Sequence, residues 1–172
     1  SADEKAKPLL SDLDARIAWP DKPGVPKPPV VKPLTAKQQQ LFEVGKTVYG
    51  MLCAGCHQAN GAGMEGLAPP LADSDWVLGK PDVLSRILIH GLSGPIKVNG
   101  KVWSMEMPPL GAALTDEQIA GVITYIRREW EHTASPVSVE DVARIREEHK
   151  DRTTAWTAED IAPYRATKAA KR

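Results

Sequence analysis

Both cysteines of the chain fall in the run Cys53-Ala54-Gly55-Cys56-His57, two thiols three positions apart with an imidazole directly after the second. Thiols at that spacing can each add to one vinyl group of a haem, and the adjacent imidazole can turn beneath the ring to bind its iron. The run therefore has the form of a covalent haem attachment site. Two other chemistries share Cys-x-x-Cys: a disulfide across a short loop and a thioredoxin-like redox pair. Neither needs the histidine, and the redox pair expects a strand leading into the motif, where this sequence carries a helical pattern. A zinc site would need four ligands at metal spacing, and no second Cys or His cluster supplies them.

An iron held by one histidine needs a second axial group if it is to shuttle electrons and not bind small molecules, and a thioether favours the ferrous state. The four methionines differ in reach. Met51 precedes the motif by two residues and cannot reach the opposite face of the ring. Met64 follows His57 too closely in a glycine-rich loop. Met105 and Met107 both come late enough to close the pocket from the other side.

The elements that must position these groups can be read from the pattern. Thr35-Ala36-Lys37-Gln38 is a capping box that starts a helix, with Leu41, Val44, Val48 and Leu52 on one stripe and Gly45 and Tyr49 beside it. After the motif, Asn60 to Pro70 carries turn chemistry with enough glycine to wrap a flat ligand. Pro81 can open a short helix whose apolar positions are Val83, Leu84, Ile87 and Leu88, ended by Gly91, and Asn99-Gly100 suits a hairpin turn. A second capping box, Thr115 to Gln118, opens the clearest helix, with Ile119, Val122, Ile123, Ile126 and Trp130 on its apolar face.

The chain has 172 residues, 22 of them basic and 22 acidic, so no broad field points to nucleic acid or an anionic membrane. This length suits one domain of about 100 to 150 residues with extensions. Six prolines between Trp19 and Pro33 make residues 1–34 an extended N-terminal extension, and residues 35–132 the domain proper. Residues 133–172 are a charged, partly helical C-terminal extension, in which Glu140 to Asp151 is expected to be an exposed, largely solvated helix with only Val139, Val142 and Ile145 to bury. Trp19 and Trp156, aromatic and far from the core in sequence, are expected to dock somewhere. No apolar run approaches the roughly 18 residues of a membrane span. Haem ligation to Cys-x-x-Cys-His takes place outside the cytoplasm, so a periplasmic or other extracytoplasmic location is expected, with an export leader removed or replaced ahead of Ser1.

Over about residues 36 to 131 the sequence resembles the small monohaem cytochrome c family. Gly45, Tyr49, Cys53, Cys56 and His57 reproduce that family's Gly-x3-aromatic-x3-Cys-x-x-Cys-His in step. Tyr125 looks like the aromatic that the family's last helix packs near that glycine. Ala68-Pro69-Pro70-Leu71 is similar to the stretch whose carbonyl receives the ligand histidine, which implicates Pro69. Met107, in Met107-Pro108-Pro109, matches a ligand methionine that commonly precedes proline. The resemblance implies an all-α, cytochrome c-like fold of about three to five helices around one covalent haem c, with His57 and Met107 as axial ligands. It implies an electron carrier and not an enzyme, taking electrons from a partner dehydrogenase and passing them to a respiratory acceptor.

Further residues are expected at the haem. Trp76 and Trp103 flank loops that should line the pocket and could offer an indole N–H to a propionate. Arg86 and Lys97 are candidate propionate partners, and His90 a further contact. Two rival readings remain: an open-site haem enzyme or gas sensor, and a docking subunit whose extensions bind a dehydrogenase.

Overall fold

The computed structural model describes residues 32–166. The proline-rich stretch up to Val31, with Trp19, lies outside them. Helix α1 (Ala36–Val48) opens on the capping box: the Thr35 hydroxyl accepts from the Gln38 N–H, and the Gln38 side chain accepts from the Thr35 N–H at 2.9 Å. The chain then makes one wide turn, Tyr49–Cys53, of i→i+5 type. Such a turn inserts an extra residue and rotates everything after it. That rotation breaks the expected stripe, leaving Leu52 51% exposed while Cys53 is buried. Helix α2 (Ala54–His57) carries the rest of the motif and stops at Gln58, whose φ is 63°.

Helix α3 (Pro81–His90) begins on its proline and ends at Gly91. Strands β1 (Pro95–Val98) and β2 (Lys101–Ser104) pair antiparallel across Asn99-Gly100, with Ile96 opposite Trp103. This hairpin is the one departure from an all-α chain among the described residues. Helix α4 (Asp116–Ile126) starts on the second capping box. It ends four residues short of Trp130, which the sequence pattern puts on its apolar face. Trp130 instead folds back at positive φ, its ring 5.6 Å from Tyr49 and 5.9 Å from Tyr125.

The centre of the fold is the crossing of α1 and α4. Gly45 and Gly121 meet there backbone to backbone, and a Cβ on Gly121 would lie 2.8 Å from the Leu41 carbonyl oxygen and 2.9 Å from the Gly45 nitrogen. Beside the crossing, Tyr125 packs 5.2 Å from both Phe42 and Tyr49, and the Tyr49 hydroxyl donates to the Gln58 carbonyl at 2.7 Å. The motif is thus tied to the last core helix through an aromatic cluster.

The described residues 33–166 form one compact unit that includes the charged helices after residue 137. Helix α5 (Val139–Glu148) and helix α6 (Ala158–Ala166) bury Val142, Ile145 and Ile161 completely, and Trp156 is buried to 3% exposure. The expectation of a largely solvated helix is corrected only in that its few apolar positions dock it on the core; Glu140, Asp141, Arg144, Glu147 and Glu148 stay exposed. Full burial of such aliphatic side chains contributes about 2 kcal/mol apiece, enough to dock a helix whose remaining positions are charged.

Arg86 is corrected with it. Its side chain is 4% exposed and turns to the C-terminal segment, where Nε donates to His149 Nε2 at 3.1 Å, Nη2 pairs with Glu148 at 3.4 Å and the guanidinium stacks 3.8 Å over Tyr164. On α3 it lies opposite the face that carries Leu84, Ile87 and Leu88. His90 belongs to the same cluster, 6.4 Å from His149 and 6.3 Å from Trp156.

Burial holds both imidazoles below the usual histidine range. The neighbouring Arg86 and Arg152 lower His149 further, against Glu148. His149, Arg152 and Arg146 lower His90 further, against an Arg152 backbone contact. The unfolded chain takes up these protons first, at a pH of about 6.5. The contribution of the neutral imidazoles is therefore complete above that pH and is lost as pH falls through it toward the depressed folded values. Urea midpoints should drop between about pH 7.5 and pH 5, and His149→Gln, which keeps an acceptor for Arg86, should flatten the drop. Equal slopes in both proteins would contradict this.

Candidate haem site

Two lobes of one apolar cleft open beside the motif, with about 650 and 890 Å³ of empty space, part of it open to solvent. Cys53, His57, Pro69, Leu92, Ile96 and Met107 line both lobes and so form their shared wall. The inner lobe is closed by Val77, Leu84, Leu88, Val122 and Ile126, contributed by α3, α4 and the loop between α2 and α3. Leu52, Cys56, Leu67 and Met105 rim the outer lobe.

The imidazole of His57 is held in one tautomer. Its Nδ1 lies 2.9 Å from the Pro69 carbonyl, which can only accept, so Nδ1 carries the proton and Nε2 keeps its lone pair. Burial pulls its pKa below the usual range, against the Pro69 hydrogen bond. A neutral, oriented imidazole is the form in which histidine binds a metal. The Cys53 thiol is pushed up to about 11, chiefly by burial and then by Cys56. A thioredoxin-like pair needs a lowered thiol, so the environment of Cys53 opposes that reading.

Met107, which lines the same two lobes as His57, is half-buried and packed against both core clusters, with its backbone fixed to Leu92. Met105 touches the outer lobe alone, while Met51 and Met64 are 69% and 44% exposed. The two tryptophans separate in role. Trp76 lines the inner lobe but spends its indole N–H on the Lys97 carbonyl at 2.8 Å, which corrects its expected propionate contact. Trp103 lines the outer lobe, and its Nε1 is buried with no hydrogen-bond partner among the described residues. A buried donor left unpaired is costly, so this one fits a carboxylate of a bound ring. The cleft, the fixed imidazole, a thioether lining the same lobes and the unpaired indole together suit a haem. Arg86 and His90 stand outside both lobes, and Lys97 contributes a carbonyl.

Two positioning residues have no signal in the sequence. His132 is buried, its Nδ1–H donating to the Ile126 carbonyl at 2.7 Å and its Nε2 accepting from the Asp73 N–H at 2.9 Å, which ties the loop after Pro69 to the end of α4. Arg127, held down to about 10 by burial, donates to the carbonyls of Val77 and, at 2.7 Å, Gly79 beside the inner lobe. Partners this far apart in sequence leave no local pattern.

The sequence model of the cytochrome c family matches residues 42–130, more than half of the chain. The chain belongs to the cytochrome c family. It is 35% identical over 111 residues to cytochrome c-552 of Thermus thermophilus, covering 59% of this chain and 83% of that protein. It is 34% identical over 108 residues to the gluconate 2-dehydrogenase cytochrome c subunit of Pantoea cypripedii, covering 62% of this chain. To the cbb3-type cytochrome c oxidase subunit FixP of Sinorhizobium medicae it is 34% identical over 109 residues, covering 63% of this chain. The matches span only 24% and 37% of those two subunits. As a family member this cytochrome c carries one covalent haem c and transfers electrons, and is a carrier and not an enzyme. No helix among the described residues is long and apolar enough to cross a membrane.

Proposed function

We propose that Cys53 and Cys56 form the thioether links, that His57 Nε2 and Met107 Sδ are the axial ligands, and that Trp103 donates to a propionate. The observation that carries this is that His57 and Met107 share the walls of both lobes, with the Pro69 carbonyl fixing which imidazole nitrogen is free. The haem supplies one-electron chemistry. The chain supplies two ligands retained in both redox states, an apolar wall that excludes water, and a thioether that favours the ferrous form.

Electrons would enter and leave at the cysteine edge, where Met51, Leu52, Met64 and Leu67 are exposed. Such a small apolar rim suits brief docking at the low end of interface sizes. The relatives named as dehydrogenase and oxidase subunits support a partner dehydrogenase as donor and a respiratory acceptor. Covalent attachment at a Cys-x-x-Cys-His run supports a periplasmic or other extracytoplasmic site of action.

Absorption spectra of both redox states, with carbon monoxide added to the ferrous protein, test the reading. Low-spin spectra in both states and slow carbon monoxide uptake are expected. Rapid uptake by the native protein would replace the carrier with the open-site reading.

A further inference from the structure

The C-terminal segment holds the Met107 loop directly at its exit and, through the 91–93 stretch, at its entry. At its entry, Leu92 exchanges two backbone hydrogen bonds with Met107, N–H to O at 3.0 Å and O from N–H at 2.8 Å. The other edge of the same short stretch is taken by Trp156: its N–H donates to the Gly91 carbonyl at 3.1 Å, and its carbonyl accepts from the Ser93 N–H at 2.8 Å. Gly91 sits between them at a φ of 80°, where a Cβ would come within 2.6 Å of the Met107 carbonyl. The Trp156 ring, 3% exposed, packs in one cluster with Leu92, Ile96 and Trp103, which line the cleft.

At the loop's exit stands Arg146 of α5. Its Nη1 donates to the Gly111 carbonyl at 2.6 Å, Nη2 to the Leu114 carbonyl at 3.0 Å, and Nε pairs with Asp116 at 2.7 Å. The eight positions from Met107 to Leu114 contain no helix or strand; midway, the Leu110 and Gly111 N–H groups donate to the Leu88 and Ile89 carbonyls at 2.9 and 3.1 Å. Local opening of such a loop is ordinarily cheap. Here its exit is fixed directly, and the 91–93 stretch that holds its entry is backed, by a segment anchored by Val142, Ile145 and Ile161 at 0% exposure.

We propose that residues 137–161 act as a clamp that keeps the Met107 thioether on its axial face, with Arg146 and Trp156 as the positioning residues. The proposal rests on Met107 being the ligand. It gives the C-terminal extension a role inside its own chain: a docked segment raises the cost of moving Met107.

The test uses the full-length holoprotein and three variants, Arg146→Gln, Trp156→Ala and Arg144→Gln. Arg144 is the control, since it pairs with Asp82, Asp141 and Glu148 on and beside the same helix and makes no contact with the loop. Arg146→Gln should speed carbon monoxide uptake by the ferrous protein by about tenfold or more, the factor that one lost charge-assisted hydrogen bond is worth. Trp156→Ala, which keeps the backbone bonds but removes the ring packed against Leu92, Ile96 and Trp103, should speed it by at least as much. Amide exchange at Leu92 and Met107 should rise by a comparable factor, and the weak far-red band of ferric thioether coordination should fade at lower temperature. Arg144→Gln should match wild type in all three.

Uptake and exchange within about twofold of wild type in both variants would overturn the clamp, as would an equal rise in Arg144→Gln. If Arg146→Gln fails to take up haem, Trp156→Ala decides alone. Failure of the ligand assignment is seen separately: the far-red band would then survive Met107→Leu, while amide exchange still reads the clamp.

Discussion

Met107→Leu is expected to lower the midpoint potential by about 0.2 V, a quarter of the roughly 0.8 V over which axial ligands set haem potentials, and to convert slow carbon monoxide binding into rapid binding. Leucine fills nearly the volume of methionine and keeps the contacts to both core clusters, so the wall of the cleft stays in place. What disappears is the sulfur, the group that favours ferrous over ferric iron and occupies the position an added ligand would take. Met105→Leu is the matched comparison. Met105 borders the outer lobe alone, so its replacement should leave potential and carbon monoxide uptake near wild type. Potentiometric titration and ferrous carbon monoxide kinetics on the two proteins separate the assignments. A fall in potential with Met105→Leu and none with Met107→Leu would reverse them.

The elements legible in the sequence are those specified by short-range chemistry. Both capping boxes lie where Thr35 and Thr115 place them, because the two partners of each are three residues apart. The Asn99-Gly100 hairpin follows from a turn that needs two adjacent residues at positive φ. The Cys53-to-His57 run is legible from its spacing alone, whereas Pro69 comes from the resemblance of residues 68–71 to the family's stretch, and its carbonyl stands 2.9 Å from His57 Nδ1.

What escapes depends on residues that meet only after the chain has folded. The wide turn at Tyr49–Cys53 has no composition signal, and by rotating one position it moves Leu52 out and Cys53 in. Arg86 reads as a haem partner because a cation on a pocket-lining helix has an evident counter-charge there, but its guanidinium is claimed by His149, Glu148 and Tyr164 from the far end of the chain. Most of α5 reads as solvated because it is charged, with Val139, Val142 and Ile145 left to bury, and how firmly they dock it has no local signal. Its apolar stripe is only Val142 and Ile145 wide, and a stripe that narrow suffices when both side chains are completely buried.

Gly45→Ala should destabilise the protein by about 2 kcal/mol, the balance of two opposed effects. Replacing glycine by alanine inside a helix ordinarily favours folding by about 1 kcal/mol. Against it, a Cβ at Gly45 would overlap the carbonyl group of Gly121, which is helix backbone and cannot turn aside as a flexible side chain would. Overpacking of this kind costs about 3 kcal/mol, and here α1 and α4 must separate to accommodate it. The separation has a functional consequence, because α1 leads into Tyr49, Cys53 and His57 while α4 supplies Val122 and Ile126 to the inner lobe. The haem spectrum should therefore broaden along with the loss in stability. Gly50 is the internal comparison: a Cβ added there would meet nothing within 4 Å, so Gly50→Ala should be neutral or stabilise by up to about 1 kcal/mol. Urea unfolding of the two ferric holoproteins measures the difference directly. Equal midpoints would mean that the crossing has slack, and that the positions of the motif and the last core helix are set by the aromatic cluster of Phe42, Tyr49, Tyr125 and Trp130 and not by the glycine pair.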